Sequence, residues 1–144
     1  MLVTTGSAKP MKYMTAEELA ALMKSGEKVP SKDFLVVDVR DDDFAGGNIV
    51  GARNHPANKF MLSVPGLVKE TKDLPLVVFH CALSQIRGPK AARIYEETRK
   101  NLFPDATGEI VVLREGFTKF QSLYKNDPTL VEKWDEQYWS SEWS

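Results

Sequence analysis

The chain has 144 residues, of which 42% are hydrophobic and 27% are charged, and this predicts one soluble globular domain. A net charge of −1 gives no overall positive field, so we expect neither nucleic acid nor an anionic membrane as a partner. One cysteine excludes an internal disulfide, and two histidines make a structural zinc site implausible. An unpaired thiol suits a reducing compartment, so we expect the cytoplasm or the nucleus.

The first third of the chain begins with small and polar residues. Residues 1–10 are expected to be a flexible tail rather than a secretory signal. Residues 11–14 predict a short edge strand. Thr15 and Glu18 have the spacing of a capping box, so a helix should begin after Thr15 and stop near Gly26.

Two more strands and a helical region are predicted next. Residues 34–39 form an almost continuous apolar run, which is typical of a parallel strand that is covered on both faces. Glycines within residues 46–51 indicate a bend into a short strand at residues 52–55. Residues 57–71 have a helical pattern, but Pro65-Gly66 interrupts it, so we expect two short helices there.

The second half repeats the alternation of strand and helix. Residues 76–79 and 109–113 are short apolar runs that predict buried strands. Helices are expected from about residue 90 to residue 100 and over residues 116–124. Because strands alternate with helices, the fold class should be α/β with a mostly parallel sheet, and ligands should bind at the carboxyl ends of its strands.

The last segment, residues 127–144, is expected to be an aromatic extension of the single domain. Asp127-Pro128 has the residue types that begin a helix, with aspartate as the cap and proline in the first turn. Its aromatic side chains should pack against the fold, cover part of a cleft or meet a partner. They are Trp134, Tyr138, Trp139 and Trp143.

The stretch with the clearest chemistry joins the strand at residues 76–79 to the next helix. Cys81 ends the strand, five residues separate it from Arg87, and Pro89 suits the first turn of a helix. The unpaired N–H groups of such a loop bind phosphate-like oxyanions, and an arginine grips two oxygens at once. The same positive field favours the thiolate form of Cys81. The pattern predicts a nucleophilic thiolate under a bound oxyanion, in a loop formed by Ala82, Leu83, Ser84, Gln85, Ile86 and Gly88.

This stretch resembles the signature of the cysteine phosphatases. Its end, Arg87-Gly88-Pro89, resembles the cell-division-cycle dual-specificity phosphatases of the twenty-five type and the small arsenate reductases related to them, both in the rhodanese-like superfamily. Residues 36–40, 46–54 and 113–117 also resemble segments of that superfamily. The resemblance spans roughly residues 13–124. It implies a three-layer rhodanese-like fold, in which a central five-stranded sheet has helices on both faces.

Four positions depart from the usual residues of these relatives. Asn48 replaces a histidine and is expected to keep a structural hydrogen bond, whereas Glu115 replaces a glycine near the rim of the site. Ala82 and Ile86 stand where the cell-division-cycle phosphatases carry glutamates, so the loop itself offers no general acid. The candidates for that role on the expected rim are Asp42, Asp43 and Glu115.

Several polar residues near the loop are expected to be structural. Strand alternation points His80 away from Cys81, where it can hydrogen-bond the backbone. Asp38 and Arg40 should tie their strand to the following loop rather than touch substrate. Asp41 is expected on a solvated face.

The resemblance implies a phosphatase that acts on phosphotyrosine-type or small aryl phosphates through a phosphocysteine, with no metal or cofactor. Arsenate mimics phosphate, so the alternative is an arsenate reductase; since the chain has no second cysteine, an external thiol such as glutathione or a glutaredoxin would complete that reaction. A sulfurtransferase is disfavoured because the resemblance implies a loop one residue shorter. A non-enzymatic phospho-ligand module is disfavoured by the intact Cys81 and Arg87. The loop alone does not separate phosphatase from arsenate reductase.

Overall fold

The computed structural model describes residues 10–41, 44 and 46–143, with side chains as far as residue 140. Most of the predicted N-terminal tail, residues 1–9, lies outside the described residues, as do the candidate acids Asp42 and Asp43. Within the described ranges, no helix has both the length and the apolar character needed to cross a membrane.

A parallel sheet forms the centre of the molecule. The strands of the chain are β1 (Tyr13–Met14), β2 (Phe34–Asp38), β3 (Asn48–Ile49), β4 (Arg53–Asn54), β5 (Leu76–His80), β6 (Glu109–Leu113) and β7 (Val131–Glu132). Five of them form the central sheet in the order β1-β6-β5-β2-β4, and every pairing in it is parallel. The predicted α/β class and five-stranded sheet are therefore confirmed. The strands β3 and β7 form a separate antiparallel pair.

Helices cover both faces of this sheet. They are α1 (Ala16–Lys24), α2 (Phe60–Thr71), α3 (Arg87–Leu102), α4 (Gly116–Tyr124) and α5 (Glu136–Trp143), and a short 3₁₀ helix (Ala57–Lys59) precedes α2. Successive residues of a strand point to opposite faces, so β2 and β5 contribute side chains to two separate cores. Leu35 and Phe79 pack with α2 and α3, whereas Val36 and Val78 pack with α1, α4 and Trp139 of α5.

The start of α1 agrees with the sequence-based prediction. The backbone N–H of Glu18 donates to the Thr15 hydroxyl at 3.0 Å, and the backbone N–H of Thr15 donates to the Glu18 carboxylate at 2.8 Å. Both halves of the capping box are therefore present. The motif needs only neighbouring residues, which is why the sequence predicts it well.

The prediction of two short helices around Pro65-Gly66 is wrong, because α2 continues through both residues. Proline removes one backbone hydrogen bond and usually kinks or ends a helix. Here Phe60, Val64 and Leu67 lie on one side of α2 and are all buried against the sheet. Burial of this apolar face outweighs the loss of one hydrogen bond.

The prediction that Asp127-Pro128 begins the last helix is also wrong. The Asp127 carboxylate accepts hydrogen bonds from the backbone N–H and the hydroxyl of Thr129, and so it caps a turn. This turn leads into β7, and the last helix begins later, at Glu136. There the Asp135 carboxylate accepts the Gln137 N–H at 3.0 Å. A local capping signal was present, but pairing of β7 with β3 decided which segment became helix.

Candidate active site

Cys81 lies at the carboxyl end of β5, at the centre of a tight loop. Its side chain is 3% exposed, and its sulfur accepts the backbone N–H of Ser84 at 3.2 Å and of Gly88 at 3.4 Å. Ser84 has a φ of 56°, in the left-handed region that lets a short loop turn back on itself. Two backbone N–H groups therefore point at the predicted nucleophile from within the loop.

The start of α4 holds the outer side of this loop. The N–H groups of Phe117 and Thr118 donate to the carbonyl oxygens of Cys81 and Ala82 at 3.0 and 2.9 Å. A Cβ atom at Gly116 would overlap both oxygens, so only glycine permits this approach. Glu115 has a φ of 63°, in the left-handed region that glycine adopts more easily than glutamate, and this agrees with the glycine that the resemblance implies there.

The remaining loop residues differ in exposure. Ser84 and Gly88 are buried and Ala82 is half-buried, whereas Leu83, Gln85 and Ile86 point outward. Ile86 is 75% exposed, so this position of the loop is an apolar part of the rim.

Arg87 is the first residue of α3, at the same edge of the sheet as the sulfur. Its guanidinium lies 3.5 Å from the Asp41 carboxylate, and the other oxygen of Asp41 accepts the Asn58 N–H at 3.1 Å. The two side chains are 31% and 27% exposed, so Asp41 does not lie on a freely solvated face. The contact arises because Asp41 follows β2 and Arg87 follows β5, and these two strands pair in parallel and end at the same edge of the sheet.

A buried ion pair lies beneath the loop. Arg40 donates to both carboxylate oxygens of Asp38, at 3.0 Å from Nε and 2.7 Å from a terminal nitrogen, and also to the Gly47 carbonyl at 2.8 Å. The central carbon of the Arg40 guanidinium lies 4.4 Å from the centre of the Phe117 ring. These contacts tie β2 to the following loop, as predicted, and they also link it to α4, which was not predicted. They also support the start of α4, which holds the Cys81 loop.

His80 has a structural position between this ion pair and the loop. Its Nδ1 lies 3.0 Å from the Cys81 carbonyl oxygen, which can only accept, so Nδ1 carries the proton. Its Nε2 lies 3.6 Å from the Asp38 carboxylate and has no hydrogen-bond partner among the residues that the structure describes. Burial lowers the pKa of His80 below its ordinary value of 6.5, and the nearby Asp38 carboxylate opposes this shift less strongly.

This lowered pKa predicts a loss of stability in mild acid. As the pH falls below about 6.5, His80 takes up a proton in the unfolded chain but stays neutral in the folded chain. The free energy of unfolding should therefore decrease. His80→Asn keeps a donor for the Cys81 carbonyl but removes the titration. Urea unfolding at pH 7.5 and at pH 5.5 should show a smaller decrease in this variant than in the wild type. Equal decreases would contradict the account.

The structure shows the contacts of Asn48 and the position of Glu115, two residues that depart from the pattern that the resemblance implies. The Asn48 amide donates to the Glu132 carboxylate at 2.9 Å and so links β3 to β7. Glu115 is exposed and lines a groove beside Leu83 and Gln85 of the loop, near the rim as predicted. In the described part of the chain, no three His, Cys, Asp or Glu side chains lie close enough together to share a metal ion.

Comparison with known proteins agrees with this geometry. The family model for the rhodanese-like domain matches residues 15–123. Arsenate reductase 2.1 of Oryza sativa subsp. japonica is 31% identical over 116 residues, which cover 79% of this chain and 69% of that protein. The CDC25-like phosphatase YCH1 of Saccharomyces cerevisiae is 32% identical over an alignment 148 positions long, which covers 90% of this chain and 94% of that protein.

A solved structure shows the same fold over almost the whole chain. Ygr203w, a yeast protein tyrosine phosphatase of the rhodanese family, matches with a TM-score of 0.75 and 27% sequence identity, covering 91% of this chain and 98% of that chain. The relatives are thus phosphatases and arsenate reductases, and the resemblance inferred from the motifs is confirmed. The chain belongs to the rhodanese-like domain family.

Proposed function

We propose that the chain is a cysteine-dependent phosphatase that acts through a phosphocysteine on Cys81. The observation that carries this proposal is the Cys81 sulfur, which accepts the N–H groups of Ser84 and Gly88 and has Arg87 in the same loop. This arrangement combines a nucleophile, donors for a tetrahedral anion and a guanidinium fork. The similarity to YCH1 and Ygr203w supports the same reading.

In the first step, the Cys81 thiolate attacks phosphorus and the bond to the leaving oxygen breaks. Loop N–H groups and the Arg87 side chain hold the equatorial oxygens, where charge must be stabilised in the transition state. Asp41 holds the Arg87 guanidinium at the loop from one side. An aryl oxide is a good leaving group and needs little protonation. We therefore expect aryl phosphates to react faster than alkyl phosphates, since no loop residue supplies a carboxylic acid.

In the second step, water attacks the phosphocysteine and releases inorganic phosphate and the thiolate. Glu115, which lines the groove beside the loop, is our candidate for moving a proton at this stage. Each cycle begins with and regenerates a free Cys81 thiolate, which oxidation would inactivate, and this is why we place the protein in a reducing compartment, the cytoplasm or the nucleus.

Arsenate reduction is the second candidate, supported by the similarity to Arsenate reductase 2.1. The Cys81 thiolate would replace one arsenate oxygen, which leaves as water. An external thiol would then attack the Cys81 sulfur, so that arsenite leaves with the electron pair of the sulfur–arsenic bond and a mixed disulfide forms. A second external thiol would restore Cys81, because the chain has no other cysteine.

Turnover of an aryl phosphate by the wild type and by Cys81→Ser tests the proposal. We expect the wild type to release phosphate and Cys81→Ser to lose roughly three orders of magnitude or more in kcat. Thermal unfolding of both proteins should be similar, because the sulfur and oxygen side chains differ little in size. Phosphate release that survives in Cys81→Ser would exclude the phosphocysteine mechanism.

Arsenate reduction by glutathione and glutaredoxin is measured alongside, together with sulfur transfer from thiosulfate. Arsenate turnover with little phosphate release would make the second candidate the function. Sulfur transfer without either of the other reactions would show that the argument from loop length is wrong.

A further inference from the structure

A groove extends from the anion loop along the surface of the molecule. Its volume is about 710 Å³, and we call it the α4–α5 groove because these helices form its walls. The loop end is formed by Leu83 and Gln85. The side chains that matter for its chemistry are Glu115, Lys119, Lys125, Trp134, Glu136 and Trp139.

The groove has a fixed position relative to the reactive sulfur. The first turn of α4 is bonded to the loop through Phe117 and Thr118, whose N–H groups donate to the carbonyls of Cys81 and Ala82. From Gly116 to Lys125, nine steps of helical rise correspond to about 14 Å. An extended peptide advances about 3.3 Å per residue, so the groove has the length of four or five residues.

Aromatic side chains from the end of the chain form the second wall. The Trp134 indole N–H donates to the Gln121 side chain at 2.9 Å, and the Trp139 ring packs on Phe117 with ring centres 5.9 Å apart. Trp139 therefore lies towards the loop and Trp134 towards the far end. Trp139 is buried beneath the wall, whereas Trp134 is partly exposed and provides a rigid apolar surface on which an extended chain can pack at low entropic cost.

Charged side chains line the groove in a definite order. Glu115 is at the loop end, Lys119 follows after one turn of α4, and Lys125 is at the far end, with its ammonium 4.9 Å above the Trp134 ring. Glu136 is exposed on the opposite wall. Two cations thus lie along α4 at increasing distance from the site of phosphoryl transfer, and a ligand in the groove meets them in sequence.

We propose that the α4–α5 groove binds the peptide segment that flanks a phosphorylated side chain held in the anion loop. Acidic side chains about three to five residues from the phosphorylated one meet Lys119 and Lys125. A small aryl phosphate fills the loop but does not reach these lysines, so the groove selects peptides. The inference rests on the proposed phosphatase function and defines its substrate class.

Two phosphotyrosyl peptides provide the test. The two peptides differ only at the positions three to five residues away from the phosphotyrosine. One peptide carries glutamates at these positions, and the other carries lysines. For the wild type, kcat/KM should be about fivefold or more higher for the acidic peptide, because each exposed ion pair contributes a few-fold. In Lys119→Glu/Lys125→Glu this preference should reverse. The ratio is taken within each protein, so a general loss of activity does not affect it.

Lys100→Glu is the matched control, since Lys100 is exposed in the last turn of α3, away from the loop. It should retain the preference of the wild type. If the ratio of kcat/KM for the acidic peptide to kcat/KM for the basic peptide is the same in the wild type and in the double charge reversal, the inference is overturned, even if aryl phosphates are hydrolysed well.

Peptide binding to Cys81→Ser separates the inference from the proposed function. Trp134 lines the groove, so tryptophan fluorescence should change when the acidic peptide binds, and the Kd should rise about fivefold or more after the double charge reversal. Selective binding without turnover by the wild type would support the groove and contradict the phosphatase. Turnover of aryl phosphates without selective binding would contradict the groove alone.

Discussion

Arg87→Lys is expected to lower kcat/KM for an aryl phosphate by about 10²- to 10³-fold, although the positive charge is kept. A lysine ammonium is a point charge and does not reproduce the planar fork that holds two oxygens of the transferring group. Steady-state kinetics with the two variants Arg87→Lys and Arg87→Ala measure this effect. Lysine should restore only a small part of what alanine loses.

Arg53→Lys is the control for this substitution. Arg53 is also partly exposed and also lies beside a carboxylate, that of Glu70, at 3.3 Å, but it is not part of the anion loop. Its replacement should leave kcat/KM close to the wild-type value. If Arg87→Lys retains wild-type activity, the guanidinium does not bind the reacting phosphoryl group and the proposed mechanism is wrong.

Asp38→Ala is expected to decrease the free energy of unfolding by about 3–5 kcal/mol. The substitution leaves the Arg40 guanidinium, which is 1% exposed, without its carboxylate. It also frees the loop that Arg40 ties to β2 through the Gly47 carbonyl. Urea unfolding followed by circular dichroism measures the change. The double variant Asp38→Ala/Arg40→Met should lose less than the sum of the two single variants.

Glu109→Gln is the matched control for the buried pair. Glu109 forms an ion pair with Lys12 at 3.2 Å, but both side chains are well exposed. Solvent screens such pairs, so the loss should be below about 1 kcal/mol. An equally small loss for Asp38→Ala would show that the buried pair does not support the fold.

Features that depend on neighbouring residues were predictable from the sequence. Spacing over a few residues predicts the capping box of Thr15 and Glu18 and the apolar strands. It also predicts that Cys81 and Arg87 lie at the two ends of one loop. The strand alternation also placed His80 on the opposite face of the sheet from Cys81, beside Phe117.

Features that depend on distant segments were not predictable in this way. Pro65 stays within a helix because the sheet buries one side of α2, and the segment after Asp127 becomes a strand because β3 pairs with it. The Arg87–Asp41 contact joins residues 46 positions apart. The α4–α5 groove requires Trp134 and Lys125 to meet, and no local pattern specifies that contact.

The most direct test of the central claim is to trap the covalent intermediate. Wild-type protein is mixed with an aryl phosphate and quenched rapidly in denaturant. The protein is then digested, and the masses of the peptides are measured by mass spectrometry. The account predicts one phosphoryl group on the peptide that contains Cys81 and none in the Cys81→Ser variant. Rapid release of the aryl product with no phosphoryl group on Cys81, or with a phosphoryl group on another residue, would contradict it.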